Sequence, residues 1–400
     1  VFLAIPWIAG SAFAQPLPPC YHRLDQLYDF IFQLDATDTN NYVHIDTIGH
    51  SRGDVLGVQY PIYAVKISDN ADVFENEPVM LVVCHIHAEE VIGIELCVDY
   101  MTRLVSGQYN SLIAATQIYF IPTMNPDGLQ VISYGVPSGG DTLWDNTWRK
   151  NGYMPPQMGQ ANCHVAVGPG GDSCGVDLNR NFDLNWIYGD TLWDSSGGEL
   201  YDYFRGPAPF SEPEDQCVRD FARQIHPALS IVYHSSRQGA IAEQGIAAWM
   251  WGYDPGPYKF PPDCTAIGLI NRSYCGLLQG GFRHNPYLVT FGNTHNGCLQ
   301  DWFYQQCGCI QILTELGPPG DMQSIQPGCD SLNTYFIPHD RPSLEWMQRR
   351  LVNLGMSNEP AVLNIYTRDA ATQNPISAEW RNLNTWSPVL GKWTTNEEFG

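Results

Sequence analysis

Basic residues are scarce in this chain of 400 residues, because 20 lysines and arginines stand against 42 aspartates and glutamates and leave a formal net charge of −22. So little positive charge argues against a nucleic-acid-binding protein, since few side chains are available to neutralise phosphates. The negative charge could attract cationic peptides over long range, but solubility is the simpler explanation. Internal repeats and low-complexity tracts are also absent from the sequence.

The 12 cysteines include no Cys-x-x-Cys pair, and Cys307-Gly-Cys309 is one residue tighter than the usual zinc-knuckle spacing. A structural zinc cluster is therefore not expected. If the chain is exported, as its first residues indicate below, this cysteine content favours disulfides, and we expect Cys163 and Cys174, which flank a glycine-rich loop, to pair. Cys84 and Cys97 lie in apolar strand and helix patterns, which is typical of buried thiols.

The first 14 residues resemble the remnant of a secretory signal, with Ala12-Phe13-Ala14 as an A-x-A cleavage site but no basic start. This stretch is too short to span a bilayer and is followed at once by prolines. No later run is long or apolar enough to cross a membrane. We therefore expect no membrane span in the mature chain and a secreted or periplasmic (cell-envelope) location.

Segments with strand and helix patterns alternate along the chain until Pro342, after which residues 343–354 are expected to form a closing helix. Beyond residue 357 the pattern changes to the strand-like segment Leu363–Thr367 and a turn, which is typical of a hairpin in a small β-domain. We therefore expect a main domain over residues 15–357 and an incomplete β-domain over 358–400.

Three apolar strands are each followed by a polar residue of a kind used in catalysis: His87, His234 and Glu315. In open α/β sheets, sites collect at the carboxyl ends of the strands. His87 and Glu90, at i and i+3, point to the same side of a turn, and with His234 they would supply the two histidines and one carboxylate of a catalytic zinc. A single His-x-x-Glu also arises by chance, and His85 is either a core histidine or a competing ligand.

Eight short strings follow one another along the chain and together carry a family resemblance. They are Ile86-His-Ala-Glu-Glu90, Pro122-Thr-Met-Asn-Pro-Asp-Gly128, Trp148-Arg-Lys-Asn151, Gly175-Val-Asp-Leu-Asn-Arg-Asn-Phe182, Arg205-Gly-Pro-Ala-Pro-Phe-Ser-Glu-Pro-Glu214, His234-Ser, Asp301-Trp and Thr314-Glu-Leu316. In this order they resemble the zinc carboxypeptidases of the carboxypeptidase A kind, over roughly residues 21–354. The resemblance implies an α/β/α sandwich around a mixed, twisted sheet, followed by the start of a small β-sandwich domain.

The resemblance also implies site roles. One zinc ion would be held by His87, Glu90 and His234, and Glu315 would be the general base that accepts a proton from the attacking water. The alternative for Glu315 is a salt-bridged residue at a strand end.

Two arginines complete the implied site. Arg149 would stabilise the oxyanion of the tetrahedral intermediate, although an arginine that follows a tryptophan could instead pack on the indole at the surface. Asn179 and Arg180 would bind the substrate's terminal carboxylate, because the guanidinium fork matches two oxygens. Without the preceding Gly175-Val-Asp-Leu string, Arg180 would be interpreted as a solvated charge.

The sequence departs from the digestive members of the family at two places. Glu89 stands where they have an arginine, and Asn293 stands eight residues before Asp301-Trp302, where they have a mobile tyrosine. His295 or Phe291 could fill that space.

Other features look more like the regulatory branch, which removes C-terminal Lys or Arg and carries a transthyretin-like domain. These are Gln300, the β-domain, and Asp254 as a possible selector of the basic side chain. The alternative for Asp254 is a turn residue before Pro255.

The sequence therefore predicts an exported zinc-dependent carboxypeptidase that acts on the C-termini of peptides or proteins through a metal-activated water. A chemical alternative is a zinc amidohydrolase acting on cell-wall peptides or N-acyl amino acids. A non-catalytic peptide-binding module is the alternative from another class.

Overall fold

The computed structural model describes a large part of the chain. These are residues 17–138, 141–143, 146–156, 163, 173–188, 202–235, 242–247, 261, 263–291, 296–317, 325–352, 372, 379–381 and 392–394.

Strands and helices alternate through this part. The strands are β1 (Val43–His50), β2 (Pro61–Ile67), β3 (Val79–Val83), β4 (Gln117–Ile121), β5 (Val136–Ser138), β6 (Asp141–Leu143), β7 (Leu229–His234), β8 (Gln244–Ala247), β9 (Leu288–Phe291), β10 (Ile310–Glu315), β11 (Glu379–Arg381) and β12 (Lys392–Thr394). The α-helices are α1 (Leu24–Thr37), α2 (Ile92–Leu104), α3 (Asn110–Ile113), α4 (Pro126–Tyr134), α5 (Pro213–Ile225), α6 (Cys264–Cys275), α7 (Leu299–Trp302), α8 (Cys329–Ser331) and α9 (Ile337–Val352). Leu178–Arg180 and Trp186–Tyr188 are short 3-10 turns, and Phe303–Cys307 and Leu332–Phe336 are π-helical turns.

An eight-stranded mixed sheet organises the molecule, in the order β1-β2-β4-β3-β7-β10-β8-β9. The central strands β4, β3, β7 and β10 are parallel to their neighbours in that group. Strand β1 pairs antiparallel with β2, β2 with β4, and β8 with β10, whereas β8 and β9 are parallel. Strands β3 and β7 are buried along their whole length, as expected for parallel strands covered on both faces. The predicted α/β fold with a mixed sheet is confirmed.

Helix α2 packs against the sheet at an unusually close approach that involves a glycine. A Cβ atom built on Gly93 would lie 2.5 Å from the Cβ of Tyr233, in the adjacent strand β7. Any larger residue at position 93 would therefore push the helix away from the strand. This contact holds the His87–Glu90 segment, which directly precedes α2, close to the end of β7.

The closing helix α9 begins earlier than predicted. It runs from Ile337 to Val352 and contains Pro342, so the expectation that the helix follows this proline was wrong. A proline removes one N–H from the helical ladder and ordinarily breaks it. Here helix α9 also packs against α2, α3 and α6, and this tertiary packing outweighs the local preference.

Two disulfides are present among the described residues. Cys163–Cys174 confirms the predicted pair, and Cys20–Cys329 joins positions 309 residues apart. The second pair was not predicted, because sequence spacing carries no information on such distant partners. Cys84 and Cys97 are both fully buried, as expected, and their Sγ atoms lie 2.7 Å apart.

Strands β11 and β12 pair antiparallel with each other, whereas the predicted strand Leu363–Thr367 lies outside the described residues. No helix in the described ranges has both the length and the apolar character required to cross a bilayer.

Candidate active site

Three neighbouring strands bring the predicted residues to one edge of the sheet. His234 and Glu315 are the last residues of β7 and β10, and they are direct partners in the parallel register. His87 lies in the loop that follows β3, on the other side of β7. The order β3-β7-β10 therefore places His87, His234 and Glu315 at the carboxyl edge, where sites of open α/β sheets collect.

His87, Glu90 and His234 form a compact group of possible metal donors. The Nδ1 of His87 lies 3.0 Å from Glu90 Oε1, the Nδ1 of His234 lies 2.9 Å from Glu90 Oε2, and the two Nδ1 atoms are 3.0 Å apart. All three side chains are almost fully buried. Among the His, Cys, Asp and Glu side chains of the described residues, these three form the buried group whose donor atoms lie close enough together to hold one ion.

The donor set fits a zinc ion. Tetrahedral zinc with ligands at about 2.1 Å separates them by about 3.4 Å, so the observed spacings are only a few tenths of an ångström short. Two neutral imidazoles and one carboxylate leave a fourth position open, as in catalytic sites. Burial lowers the pKa of His234 to about 4, which keeps its imidazole neutral.

Asp177 orients His87, a role that the sequence did not reveal. His87 Nε2 lies 3.0 Å from Asp177 Oδ1. When this nitrogen donates to the carboxylate, Nδ1 is left as the lone-pair donor that faces Glu90 and His234. Burial opposes ionisation of Asp177, but Arg149 and His87 hold its pKa well below the usual range. Its position inside the string Gly175-Val-Asp-Leu was the available signal.

Arg149 points into this group and not onto the neighbouring indole. Its Nε and Nη2 both donate to Asp177 Oδ2 at 3.1 Å, and its Nη1 lies 3.4 Å from Glu90 Oε1. The indole Nε1 of Trp148 donates instead to the carbonyl of Lys150. Because Arg149 is 8% exposed, the alternative of a surface arginine was wrong.

Asn179 and Arg180 lie in the 3-10 turn that follows Asp177, and both are buried. Asn179 Oδ1 accepts from the backbone N–H of Leu299 at 2.9 Å. Arg180 Nη1 donates to the Asn179 carbonyl at 2.8 Å, so the alternative of a solvated charge was wrong. Gln300, which follows Leu299, is buried, and its Oε1 has no partner among the described residues.

Glu315 is 7% exposed, and its Oε2 has no hydrogen-bond partner within the described ranges. Burial and the nearby Glu90 raise the pKa of Glu315 well above its usual value, against the opposite effect of Arg149 and Arg180. The carboxyl group is thus held beside the His–Glu–His group and not in a salt bridge at the surface.

Several sequence candidates lie elsewhere. His85 is a core histidine, because its ring nitrogens lie 2.9 Å from Thr123 Oγ1 and 2.7 Å from the Ala88 carbonyl. Burial lowers the pKa of His85 to about 4. Asp254, Asn293 and His295 lie outside the described residues, as does the side chain of Phe291.

Comparison with known proteins identifies the family. A family model described as "Zinc carboxypeptidase" matches residues 28–346, and the chain therefore belongs to the zinc carboxypeptidase family. It is 28% identical over 299 residues to carboxypeptidase B2 of Bos taurus, a match that covers 71% of this chain and 60% of the relative. It is 27% identical over 346 residues to the carboxypeptidase N catalytic chain of Mus musculus, with coverages of 78% and 66%.

A bacterial relative is named "Zinc carboxypeptidase" in Saccharothrix mutabilis subsp. capreolus. It is 28% identical over 180 residues, which are 43% of this chain and 35% of the relative. The chain thus spans between about one third and two thirds of the length of these three relatives.

Solved structures share the fold. The crystal structure of carboxypeptidase A from Helicoverpa armigera aligns with a TM-score of 0.65 at 20% identity, covering 83% of this chain and 73% of that chain. Bovine thrombin-activatable fibrinolysis inhibitor, in complex with tick carboxypeptidase inhibitor, aligns with a TM-score of 0.61 at 21% identity, covering 83% and 97%. The predicted resemblance to carboxypeptidase A and its relatives is confirmed.

Proposed function

We propose that this chain is an exported carboxypeptidase that uses one zinc ion to hydrolyse the C-terminal peptide bond of peptides or proteins. The observation that carries the proposal is the convergence of His87, Glu90 and His234 to within about 3 Å of one another, one strand away from Glu315. Membership of the zinc carboxypeptidase family supports the same conclusion. Export is supported by the two disulfides.

Each residue then has a role that follows from its position. When bound, zinc supplies a Lewis acid that polarises the scissile carbonyl and lowers the pKa of water. Glu315 accepts the proton of the attacking water and passes it to the leaving amine. Arg149, fixed by Asp177, presents its guanidinium to the developing oxyanion. Asn179 and Arg180 bind the free carboxylate of the substrate.

We also propose a domain division and a specificity element. Residues 15–357 would form the catalytic domain, in agreement with the extent of the family match, after a signal remnant over 1–14. Residues 358–400, which contain the β11–β12 pair, would belong to a transthyretin-like domain. Gln300 and Asp254 would contact the C-terminal side chain of the substrate. Gln300 is supported by its buried, unpaired Oε1 among the described residues.

The test compares matched peptides that differ only in a free or an amidated C-terminus. The protein is assayed as isolated, after chelation, and after zinc is restored. We expect cleavage of the free peptide only, loss of cleavage on chelation, and recovery with one zinc per chain. Equal cleavage of both peptides would favour an amidohydrolase, and metal-independent peptide binding without turnover would favour a binding module.

A further inference from the structure

Tyr203 lies against the two arginines to which the proposed function gives a role. Its ring centroid is 4.7 Å from the Cζ of Arg149 and 5.5 Å from the Cζ of Arg180. Both distances are within the range at which a guanidinium group is attracted to the negative face of an aromatic ring. Tyr203 is half-buried, whereas both arginines are buried.

Two buried guanidinium groups in one site repel each other, and this repulsion must be offset. Asp177 offsets much of it for Arg149, since both Nε and Nη2 donate to the same Oδ2 atom. Arg180 Nη1 donates to the neutral Asn179 carbonyl and lies near the Cys298 sulfur. The shared ring of Tyr203 adds an attraction to both cations and connects the two side chains physically.

We propose that Tyr203 is a positioning residue that holds Arg149 and Arg180 at a fixed separation through its π face. In the proposed reaction, one arginine meets the oxyanion of the scissile group and the other meets the terminal carboxylate, and these two groups are one residue apart in the substrate. The distance between the guanidinium groups therefore sets which bond is cleaved and how strongly a free carboxylate is preferred. This inference rests on the proposed function.

The sequence gives little sign of this role. Tyr203 lies in Asp202-Tyr-Phe204, just before the string that begins at Arg205, and none of its neighbours is a proposed site residue. It is also distant in sequence from position 293, where the digestive relatives have their mobile tyrosine. The contact of the Tyr203 ring with Arg149 and Arg180 is therefore seen only in the structure.

The variants distinguish the effect of the aromatic ring of Tyr203 from the effects of its hydroxyl group and of its volume. Tyr203→Phe keeps the π face, Tyr203→Leu removes it at similar bulk, and Tyr203→pentafluorophenylalanine keeps the shape but reverses the charge of the face. The exposed Tyr188→Leu is the control outside the site. For each protein we would measure kcat and KM with free and amidated peptides. We would also measure the binding of an N-acyl amino acid and its amide to metal-depleted protein by calorimetry.

For Tyr203→Phe we expect kcat/KM within about threefold of the parent protein. For Tyr203→Leu and the fluorinated variant we expect a loss of about tenfold or more in kcat/KM for the free peptide. Binding of the N-acyl amino acid should weaken by a similar factor, whereas binding of its amide should change less. If circular dichroism shows that Tyr203→Leu is poorly folded, the role of the π face is judged from the fluorinated variant alone.

Two outcomes would overturn the inference in distinguishable ways. If the parent protein prefers the free carboxylate but the leucine and fluorinated variants keep the same preference, the role of Tyr203 is wrong and the proposed function stands. If the parent protein itself shows no preference for the free carboxylate in either cleavage or binding, the proposed function fails and the inference fails with it.

Discussion

The Nδ1 atoms of His87 and His234 lie 3.0 Å apart, although 147 residues separate the two histidines in the sequence. Both nitrogens also face the carboxylate of Glu90, at 3.0 and 2.9 Å. One proton cannot satisfy both imidazoles and both carboxylate oxygens at these distances, whereas one cation satisfies all of them. The fold therefore places three electron-pair donors together at a cost that metal binding offsets.

Metal removal should lower the stability of the folded chain. A ligand that binds only the folded state stabilises it by mass action, so chelation should lower the midpoint of thermal unfolding by several degrees or more. His234→Ala should abolish zinc binding and make the midpoint insensitive to chelation. His44→Ala changes a half-buried histidine of strand β1; it serves as the control and should keep both zinc content and the chelation response. An unfolding midpoint of the parent protein that does not respond to chelation would contradict this expectation.

Loss of the carboxylate that orients His87 should weaken zinc binding without removing a ligand. In Asp177→Asn, the amide cannot fix the His87 tautomer as the carboxylate does, and Arg149 Nε and Nη2 lose their charged acceptor. We expect zinc affinity to fall by about 10- to 100-fold, measured by competition with a chelator of known affinity. Asp220→Asn alters a surface carboxylate paired with Arg219 and should leave the affinity unchanged. Equal zinc affinities for the two variants would disprove the role of Asp177.

The close approach of helix α2 to strand β7 should tolerate no side chain at position 93. In Gly93→Ala, the new Cβ would meet the Cβ of Tyr233 at 2.5 Å, and neither backbone element can move without disturbing the sheet. We expect a loss of about 1–3 kcal/mol in the free energy of unfolding, measured with urea. Gly328→Ala is the matched control, because a Cβ there meets nothing within 4 Å. A neutral Gly93→Ala would show that the helix can shift freely.

The site could be predicted largely because its residues follow strands. His87, His234 and Glu315 each come after an apolar run, and parallel neighbours bring such positions to the same edge. The contacts of Asp177 and Tyr203 could not be predicted, since they depend on which side chains face Arg149 and His87 in space. The Cys20–Cys329 pair was missed for the same reason. The start of helix α9 was misplaced because tertiary packing, which the local sequence does not encode, overrides the effect of Pro342.

The stability of the chain should depend on pH through Asp340, which lies far from the His–Glu–His group in sequence and is fully buried. Burial raises the pKa of Asp340 to about 7, in spite of the N–H donated by Gly280, and the nearby Glu243 adds to the increase. Tyr287 Oη also lies 3.3 Å from its Oδ2. Because the folded-state pKa is raised above the ordinary 3.8, the folded chain binds this proton more tightly than the unfolded chain. The stabilisation is complete below about pH 4 and is lost as the pH rises through about 7.

Asp340→Asn should remove this component, because an amide keeps the neutral form at every pH. The difference in the free energy of unfolding between Asp340→Asn and the parent protein should therefore shift in favour of the variant between pH 4 and pH 8, by at most about 4 kcal/mol. Urea titrations of both proteins at each pH would measure this difference directly, since all other titrating groups are common to the two proteins. A difference that stays constant over this range would mean that Asp340 is ionised in the folded chain. In that case its charge must be balanced by Gly280 and Tyr287 despite its burial.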